Sequence, residues 1–305
     1  MRLIKNILVV MDSASDHQAA LVQAINIAEK TSASIELFLV VYNRQFVSHW
    51  NFNQAQLAAL KKDYIAAKTR WLTTYLTEVK ALNIVGNIEV VWHCDISCAV
   101  LAKVAGTDFS MVIKSTKQYS TMSKIFFTPC DWQLLEHCKV PLLLTKNISN
   151  DSYKNIIAAV DPEKKYDKAD RLDTEIVQAG LAIAELFDSQ THICHCYQPI
   201  GIELWQGMSS VGMDHSLING DFNAYSDAVK NHHKIIFDEL LNDYAFDEKL
   251  IHLVAGSTEY ELPNLVKSCQ ADLLVMGMGN NGKFIGNTIE KILDNVECDI
   301  LSIKC

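Results

Sequence analysis

The chain has 305 residues and a formal net charge of −9, and 49% of its residues are hydrophobic. This length fits about two domains of ordinary size, and the apolar content excludes bulk disorder. Lys and Arg do not cluster as a nucleic-acid-binding face requires, so we expect no nucleic-acid partner. No stretch approaches the roughly 18 apolar residues of a membrane span, and the first residues lack an apolar signal core. We therefore expect a cytoplasmic protein without a membrane partner.

Short apolar runs rich in Val, Ile and Leu alternate with longer segments of helical period, which is typical of βαβ units around a parallel sheet. Runs that are apolar on both faces suit buried central strands. In chain order, the predicted strands cover residues 6–12, 34–42, 87–93, 108–114, 140–146, 155–161, 190–197, 249–255, 271–277 and 299–304.

Two apolar stripes at helical spacing predict helices that face the core. The members of the first stripe are Leu57, Leu60, Tyr64, Ala67, Trp71 and Tyr75. Those of the second are Ile176, Gly180, Ile183 and Phe187. The nine cysteines are an odd number, and several fall in apolar strand or helix patterns, so we expect reduced thiols without structural disulfides.

The chain repeats itself. Residues 5–12 return as residues 154–161, a shift of 154 − 5 = 149 positions, and the predicted strands that end each half also resemble one another. Matched landmarks in the same order indicate a duplicated domain. The short polar linker 147–152 predicts domains at 1–147 and 153–305 that pack together, and we expect their last strands to pair around a pseudo-two-fold axis because both would otherwise leave open edges.

Residues 155–161, 271–277 and 286–288, followed by a helix and a last strand, resemble a universal stress protein domain. Residues 91–93 and 125–135 resemble the degenerate first domain of tandem universal stress proteins of the E type. The resemblance implies an α/β fold of two tandem domains, each a five-stranded parallel sheet of order 3-2-1-4-5 with helices on both faces. Ligands in such sheets bind beyond the carboxyl ends of the strands.

The resemblance also implies an acid after the first strand, matched by Asp12 and Asp161, and a glycine loop after the fourth. The candidate ligand-binding residues are Asp161, Gly277, Gly279, Gly282, Gly286, Asn287 and Thr288. Glycines there let backbone N–H groups approach phosphate oxygens, and Lys283 would add a charge. The family pattern puts 2 + 1 + 9 = 12 residues between the first and last glycines, whereas 286 − 277 − 1 leaves 8 here.

Structural interpretations of the same residues stay open. The shortened turn also suits a tight strand-to-helix connection that Asn287 or Thr288 caps, and Asp12 begins a segment that equally resembles a helix start. In the first copy, where we place Lys114 opposite Gly277, residues 114–124 contain no glycine, and Pro129 removes an N–H donor. We therefore expect no ordinary mononucleotide site there and interpret the segment as a solvated loop, with an anion site as the alternative.

No metal site and no catalytic site are predicted. In a strand, His192, Cys194 and Cys196 would share a face, but no second ligand pair at a suitable spacing is visible, so we interpret them as a buried strand. The same holds for His93 with Cys94 and Cys98, and for His232 with His233. Because no Gly-x-Ser-x-Gly elbow or transferable Cys–base pattern occurs, we expect no enzyme.

A long connection, residues 198–213, holds Trp, Met and aliphatic side chains without regular order, and would cover the strand ends as a lid or pack over the domain interface. The sequence thus predicts a non-catalytic stress-response protein whose second domain binds a small molecule, either a nucleotide or an apolar or mixed ligand. ATP is the cofactor that the resemblance allows, and the short turn argues against it. The alternative is an interaction protein with protein partners and a vestigial site.

Overall fold

A computed structural model describes residues 4–46, 53–116, 127–146, 152–163, 171–199, 201, 222–278 and 287–304. The strands are β1 (Asn6–Val10), β2 (Ser34–Val41), β3 (Gly86–Trp92), β4 (Met111–Ser115), β5 (Leu142–Thr145), β6 (Asn155–Ala159), β7 (Gln190–Tyr197), β8 (Ile251–Ala255), β9 (Leu273–Gly277) and β10 (Asp299–Ile303). Every predicted strand is present, with ends displaced by at most three residues.

The described α-helices lie between these strands. They are α1 (Ala19–Thr31), α2 (Gln54–Ala81), α3 (Ile96–Ala105), α4 (Pro129–His137), α5 (Leu172–Phe187), α6 (Phe222–Leu241), α7 (Thr258–Ser268) and α8 (Asn287–Asn295). Within the described ranges, none of the helices is long and apolar enough to cross a membrane.

The strands form one continuous ten-stranded sheet in the order β3-β2-β1-β4-β5-β10-β9-β6-β7-β8. Each half is parallel within itself and has the order 3-2-1-4-5, as expected from the family resemblance. The halves meet where β5 and β10 pair antiparallel, with Leu143 opposite Leu301. The predicted pairing through the last strands is confirmed, while the domain boundaries remain a prediction because most of the linker lies outside the described residues.

The sheet is buried on both faces, as its near-continuous apolar strands predict. Alternate residues of β1 enter two different cores, Ile7 on one face and Leu8 on the other. The stripe of α5 is buried as predicted. The prediction that the α2 stripe faces the core is only partly confirmed. Leu60 is 37% exposed, and the buried residues of this 28-residue helix are Leu72 and Val79. The helix is much longer than the strand it packs on, so its first turns extend past the core.

Reciprocal lysines hold the two halves together. Lys146, after β5, donates from Nζ to the carbonyls of Leu293 and Val296 at 2.7 and 2.8 Å, at the end of α8. Lys304, after β10, donates to the carbonyl of Glu136 in α4. Cations suit helix C-termini because the last carbonyls there lack helical partners. Each half therefore caps the last helix of the other, which is the pseudo-two-fold relationship the repeat predicts.

A buried carboxylate lies at the same junction. The side chain of Asp299 is fully buried, and it accepts hydrogen bonds from the Lys146 backbone N–H at 2.7 Å and the Tyr153 hydroxyl at 2.8 Å. Burial lowers the pKa of Lys146 to about 8 and raises that of Tyr153 well above its ordinary value. The junction is thus a buried polar network as well as a strand pair.

Candidate functional site

A cavity of about 430 Å³ opens at the carboxyl ends of β6, β7 and β9. Its volume falls within the range of small-molecule sites. The strand order reverses at β6: the next strand in the sequence, β7, lies on one side of it, and β9 lies on the other. Open α/β sheets bind ligands at such points. The apolar part of its wall contains Val160, Ile176, Cys194, Leu262, Met276, Ile289 and Ile292.

The polar part of the wall is acidic. Asp161 and Glu163 contribute carboxylates, and Gln198 and Thr258 contribute an amide and a hydroxyl. Among the lining residues that the structure describes, none is Lys or Arg. Two carboxylates at this position repel a phosphate electrostatically, so the described wall favours a neutral or hydrogen-bond-donating group over an anion.

Two of the seven predicted ligand-binding residues, Asp161 and Gly277, line this cavity together. Gly277 also has a packing role, because a Cβ built there would lie 2.8 Å from Leu172 Cδ2 and 2.9 Å from Ile176 Cδ1 of α5. The backbone N–H of Asp161 donates to Asp173 Oδ1 at 2.9 Å, in the first turn of that helix. Close approach of strand to helix is therefore sufficient reason for a glycine at the end of β9.

The remaining candidates fall at the edge of what the structure describes. Gly279, Gly282 and Gly286 lie outside the described residues, as does Lys283 and most of the 198–213 connection. Asn287 and Thr288 are the first two residues of α8. A capping residue precedes the first turn of a helix, so the prediction that one of them caps this helix is wrong.

Strand register corrects one comparison between the halves. Val10 of β1 pairs with Lys114, and Ala159 of β6, which is 149 positions later, pairs with Met276. Lys114 therefore corresponds to Met276, and Ser115 corresponds to Gly277. The sequence comparison had aligned the two strands by the first residue after each apolar run. This placed Lys114 one position too far along, because the buried lysine is itself part of the strand.

Ser115 performs a structural role at the place of Gly277. Its hydroxyl accepts a hydrogen bond from the backbone N–H of Ala20 at 2.9 Å, in the first turn of α1. The Thr145 hydroxyl lies 3.2 Å from the same oxygen. A helix N–H that could have met a ligand is thus already paired in the first half.

The equivalent of the cavity wall in the first half is a buried ion pair. The last helices start at residues 129 and 287. Leu142, which pairs with Val112, corresponds to Ile300, which pairs with Leu274, so both offsets are 158 (287 − 129 and 300 − 142). Asp131 therefore corresponds to Ile289. Lys114 Nζ lies 2.7 Å from Asp131 Oδ1. The two positions that line the cavity in the second half are joined by a salt bridge in the first.

The same carboxylate organises the start of α4. Asp131 Oδ2 accepts from the backbone N–H of Thr128 at 2.8 Å and from its hydroxyl at 2.7 Å, and the Thr128 hydroxyl accepts in turn from the Asp131 N–H. This is a capping box. Lys114, which the sequence left open as part of an anion site, is instead committed to this carboxylate.

Asp12, the first half's counterpart of Asp161, is used locally. Its Oδ1 accepts from the backbone N–H of Ala14 at 2.9 Å, and its own N–H donates to Gln18 Oε1 at 3.2 Å. The helix that follows begins only at Ala19, so Asp12 is not its N-cap. The carboxylate stabilises a turn, which agrees with a structural role more closely than with ligand binding.

In β7, Cys194 and Cys196 share one face of the strand with His192, and His195 lies on the opposite face. Cys194 Sγ and Cys196 Sγ are 3.7 Å apart and line the cavity. On the other face, His195 Nε2 lies 2.9 Å from His233 Nδ1, and burial, followed by the neighbouring imidazole, lowers the pKa of His195 to about 4. Both histidines are buried, at 1% and 6% exposure, so we interpret the pair as part of the core. No disulfide is present among the described cysteines.

The histidine near α3 is likewise structural. His93 Nδ1 lies 2.6 Å from the carbonyl oxygen of Asp95 and 3.0 Å from its backbone nitrogen, while Cys94 and Cys98 are exposed. Asp95 caps α3 by accepting from the Cys98 N–H. In the described part of the chain, this segment is a helix start and brings no cluster of metal ligands together.

The duplicated fold and the crevice at its strand ends are those of universal stress proteins. Residues 3–146 match the model of the universal stress protein family. Residues 3–146 thus carry the universal stress protein match, and the chain as a whole is similar to full-length members of that family. It is 26% identical over 311 residues to Universal stress protein E of Salmonella typhi, covering 100% of this chain and 95% of that protein. It is 27% identical over 312 residues to Universal stress protein E of Photorhabdus laumondii, covering 98% and 95%.

A solved structure shares the fold. It is that of a functionally unknown protein from Pseudomonas aeruginosa PAO1, with a TM-score of 0.70, 21% sequence identity, and coverage of 99% of this chain and 92% of that one. The tandem arrangement is therefore found in an experimental structure of similar length.

Proposed function

We propose that the protein is a non-catalytic stress-response protein of the cytoplasm, and that its second half binds a small, largely apolar molecule in the cavity at the ends of β6, β7 and β9. One observation carries the proposal. Met276 and Ile289 line this cavity, whereas their counterparts in the first half, Lys114 and Asp131, form a salt bridge. The unpaired thiols of the described cysteines suit a reducing compartment.

The wall of the cavity supports a ligand class. Aliphatic side chains and Met suit an apolar body, because Met adapts to irregular shapes. The carboxylates of Asp161 and Glu163 would accept hydrogen bonds from a hydroxyl, amide or amine head group. The described lining residues offer a phosphate no lysine or arginine, and the turn after β9 is four residues shorter than the family pattern, so we rank a nucleotide below an apolar or mixed ligand.

The absence of catalysis is supported by how the reactive groups of the described wall are paired. Cys194 and Cys196 face one another, and His233 is bonded to His195 on the other side of the sheet. A thiol nucleophile needs a base within hydrogen-bond reach, and neither described thiol has a histidine in that position. The alternative, an interaction protein without a ligand, is supported by the first half, where the side chains of Lys114 and Asp131 occupy the equivalent crevice.

The test introduces the ion pair of the first half at the equivalent positions of the second half. The double variant Met276→Lys/Ile289→Asp introduces the pair found at residues 114 and 131. We expect the full chain to enhance Nile red fluorescence and to carry a co-purifying mass in native mass spectrometry, and the double variant to lose both. The matched control is Val85→Lys/Ile235→Asp, which introduces the same charges at side chains that are 75% and 58% exposed.

Three results separate the alternatives. Full retention of dye and mass by the Met276→Lys/Ile289→Asp variant, with its circular dichroism unchanged, would refute the cavity as the site. Saturable ATP binding below millimolar Kd that displaces the dye would favour the nucleotide ligand. A wild-type chain that binds neither dye nor ATP would favour the interaction protein.

A further inference from the structure

Three potential metal ligands from three separate elements converge on the second half of the sheet. His192 lies on β7, His252 lies on β8 at the end of the sheet order, and Cys269 directly follows α7. The register pairs Cys194 with His252, so His192, two residues before Cys194, shares a face with His252. That face is the one that α7 covers.

The cluster lies away from the cavity. His192 and His252 are near the amino ends of their strands, whereas the cavity lies at the carboxyl ends. Helix α7 begins beyond the carboxyl end of β8 and runs back, which brings Cys269 to the amino end. All three residues are partly buried, so the cluster is reachable from solvent.

The distances fit a tetrahedral site. His192 Nδ1 and His252 Nε2 are 2.9 Å apart, and Cys269 Sγ is 3.8 Å from His192 Nδ1. One ligand atom from each residue lies within 4.8 Å of the others. Around Zn²⁺, tetrahedral angles with ordinary bond lengths place two nitrogens about 3.3 Å apart and a nitrogen and a sulfur about 3.6 Å apart. The two distances at His192 thus differ from these values by only a few tenths of an ångström.

The donor chemistry selects the class of ion. Two imidazoles and a thiolate suit zinc and neighbouring transition metals, whereas Mg²⁺ and Ca²⁺ require oxygen ligands. His192 Nδ1 and His252 Nε2, which face one another, would both bind the cation, with each ring keeping its proton on its other nitrogen and the Cys269 thiol releasing its proton to solvent.

The chain supplies an internal comparison. His195 and His233 are also 2.9 Å apart, but they are 1% and 6% exposed, and among the described residues no thiol or carboxylate completes a group of three with them. Two hydrogen-bonded histidines without a third ligand can therefore be ordinary core packing in this chain. The third ligand and the partial exposure distinguish the pair at β8.

We propose that His192, His252 and Cys269 bind a zinc-class divalent cation, with water in the fourth coordination position. The ion would join the edge strand β8 to β7 and to the end of α7. It would stabilise the second half without contributing to the ligand cavity.

The first test uses the wild-type full chain after treatment with a chelator. Added Co²⁺ should bind at one equivalent and produce a thiolate-to-cobalt charge-transfer band with tetrahedral d–d bands, and Zn²⁺ should displace it. In peptide mapping by mass spectrometry, Zn²⁺ should protect Cys269 from alkylation by iodoacetamide at least tenfold. Exposed Cys94 and Cys98 should stay reactive, and Mg²⁺ should protect none of them.

Variants identify the ligands. Cys269→Ser should abolish the charge-transfer band, and both Cys269→Ser and His252→Gln should weaken Zn²⁺ binding at least tenfold in a competition titration. The controls Cys98→Ser and His137→Gln change exposed residues and should bind like wild type. Circular dichroism of each metal-free variant verifies the fold. A missing band in wild type, a band that persists in Cys269→Ser, or unchanged alkylation of Cys269 with Zn²⁺ would overturn the proposal.

Discussion

The ion pair that occupies the first half's crevice should be costly to break from one side. Lys114 and Asp131 are 2.7 Å apart, with side-chain exposures of 11% and 0%. Lys114→Met would remove the ammonium and leave the buried carboxylate with the Thr128 hydroxyl and backbone N–H as its donors among the described residues. We expect a loss of about 3–5 kcal/mol in the free energy of unfolding, since removing one partner leaves an uncompensated buried charge.

Removing both charges should cost less. In Lys114→Met/Asp131→Asn, the amide oxygen still accepts from the Thr128 N–H, so the capping box is largely kept. Replacing a buried ion pair by neutral groups of similar volume is often close to neutral. We expect the double variant to lie within about 2 kcal/mol of wild type, and therefore to be at least about 1–3 kcal/mol more stable than Lys114→Met.

Urea unfolding followed by circular dichroism measures all the variants on the full chain. The control is Lys234→Met, which breaks an ion pair of 2.6 Å whose side chains are 59% and 55% exposed. That change should cost less than about 1 kcal/mol, as exposed pairs do. A loss for Lys114→Met no larger than for Lys234→Met, or a double variant as unstable as the single one, would refute the reasoning.

Three further predictions concern β9 and the junction. Gly277→Ala should lower the free energy of unfolding by about 1–3 kcal/mol, because the new methyl group would overlap Leu172; differential scanning calorimetry measures it. Tyr153→Phe should cost about 1.5–3 kcal/mol in urea unfolding by leaving Asp299 without a hydroxyl donor. Lys146 has a folded pKa of about 8, below its ordinary 10.5, so the unfolded chain binds more protons between these values. Wild type should therefore gain stability relative to Lys146→Met as pH rises from 8 to 10.5, by on the order of 3 kcal/mol in urea titrations.

The strands were predictable because their side chains are apolar on both faces. Such runs, separated by helical periods, define a parallel sheet whatever their detailed packing. The α2 stripe was less predictable, since a helix longer than its strand leaves turns beyond the core. Periodicity reports which residues share a helix face, and it does not report how far the opposing sheet extends.

The candidate site was predictable only where backbone position determines it. Asp161 and Gly277 lie at the carboxyl ends of neighbouring strands, so topology alone brings them together. Met276 and Ile289 look like ordinary core residues in the sequence. Their place in the cavity wall, and their correspondence to Lys114 and Asp131, appear only in the structure. The histidine–cysteine cluster was hidden for a related reason, because its ligands are 60 and 77 positions away from His192 in the chain.

The β5–β10 seam, with its reciprocal lysines, also changes how this assembly responds to dilution. A pair of separate chains joined through these strands would dissociate as concentration falls, whereas two halves of one polypeptide keep a fixed, high effective concentration. One copy can then lose ligand contacts by mutation and still shield the other's edge strand. A duplicated fold in a single chain thus permits its copies to evolve at different rates toward different duties.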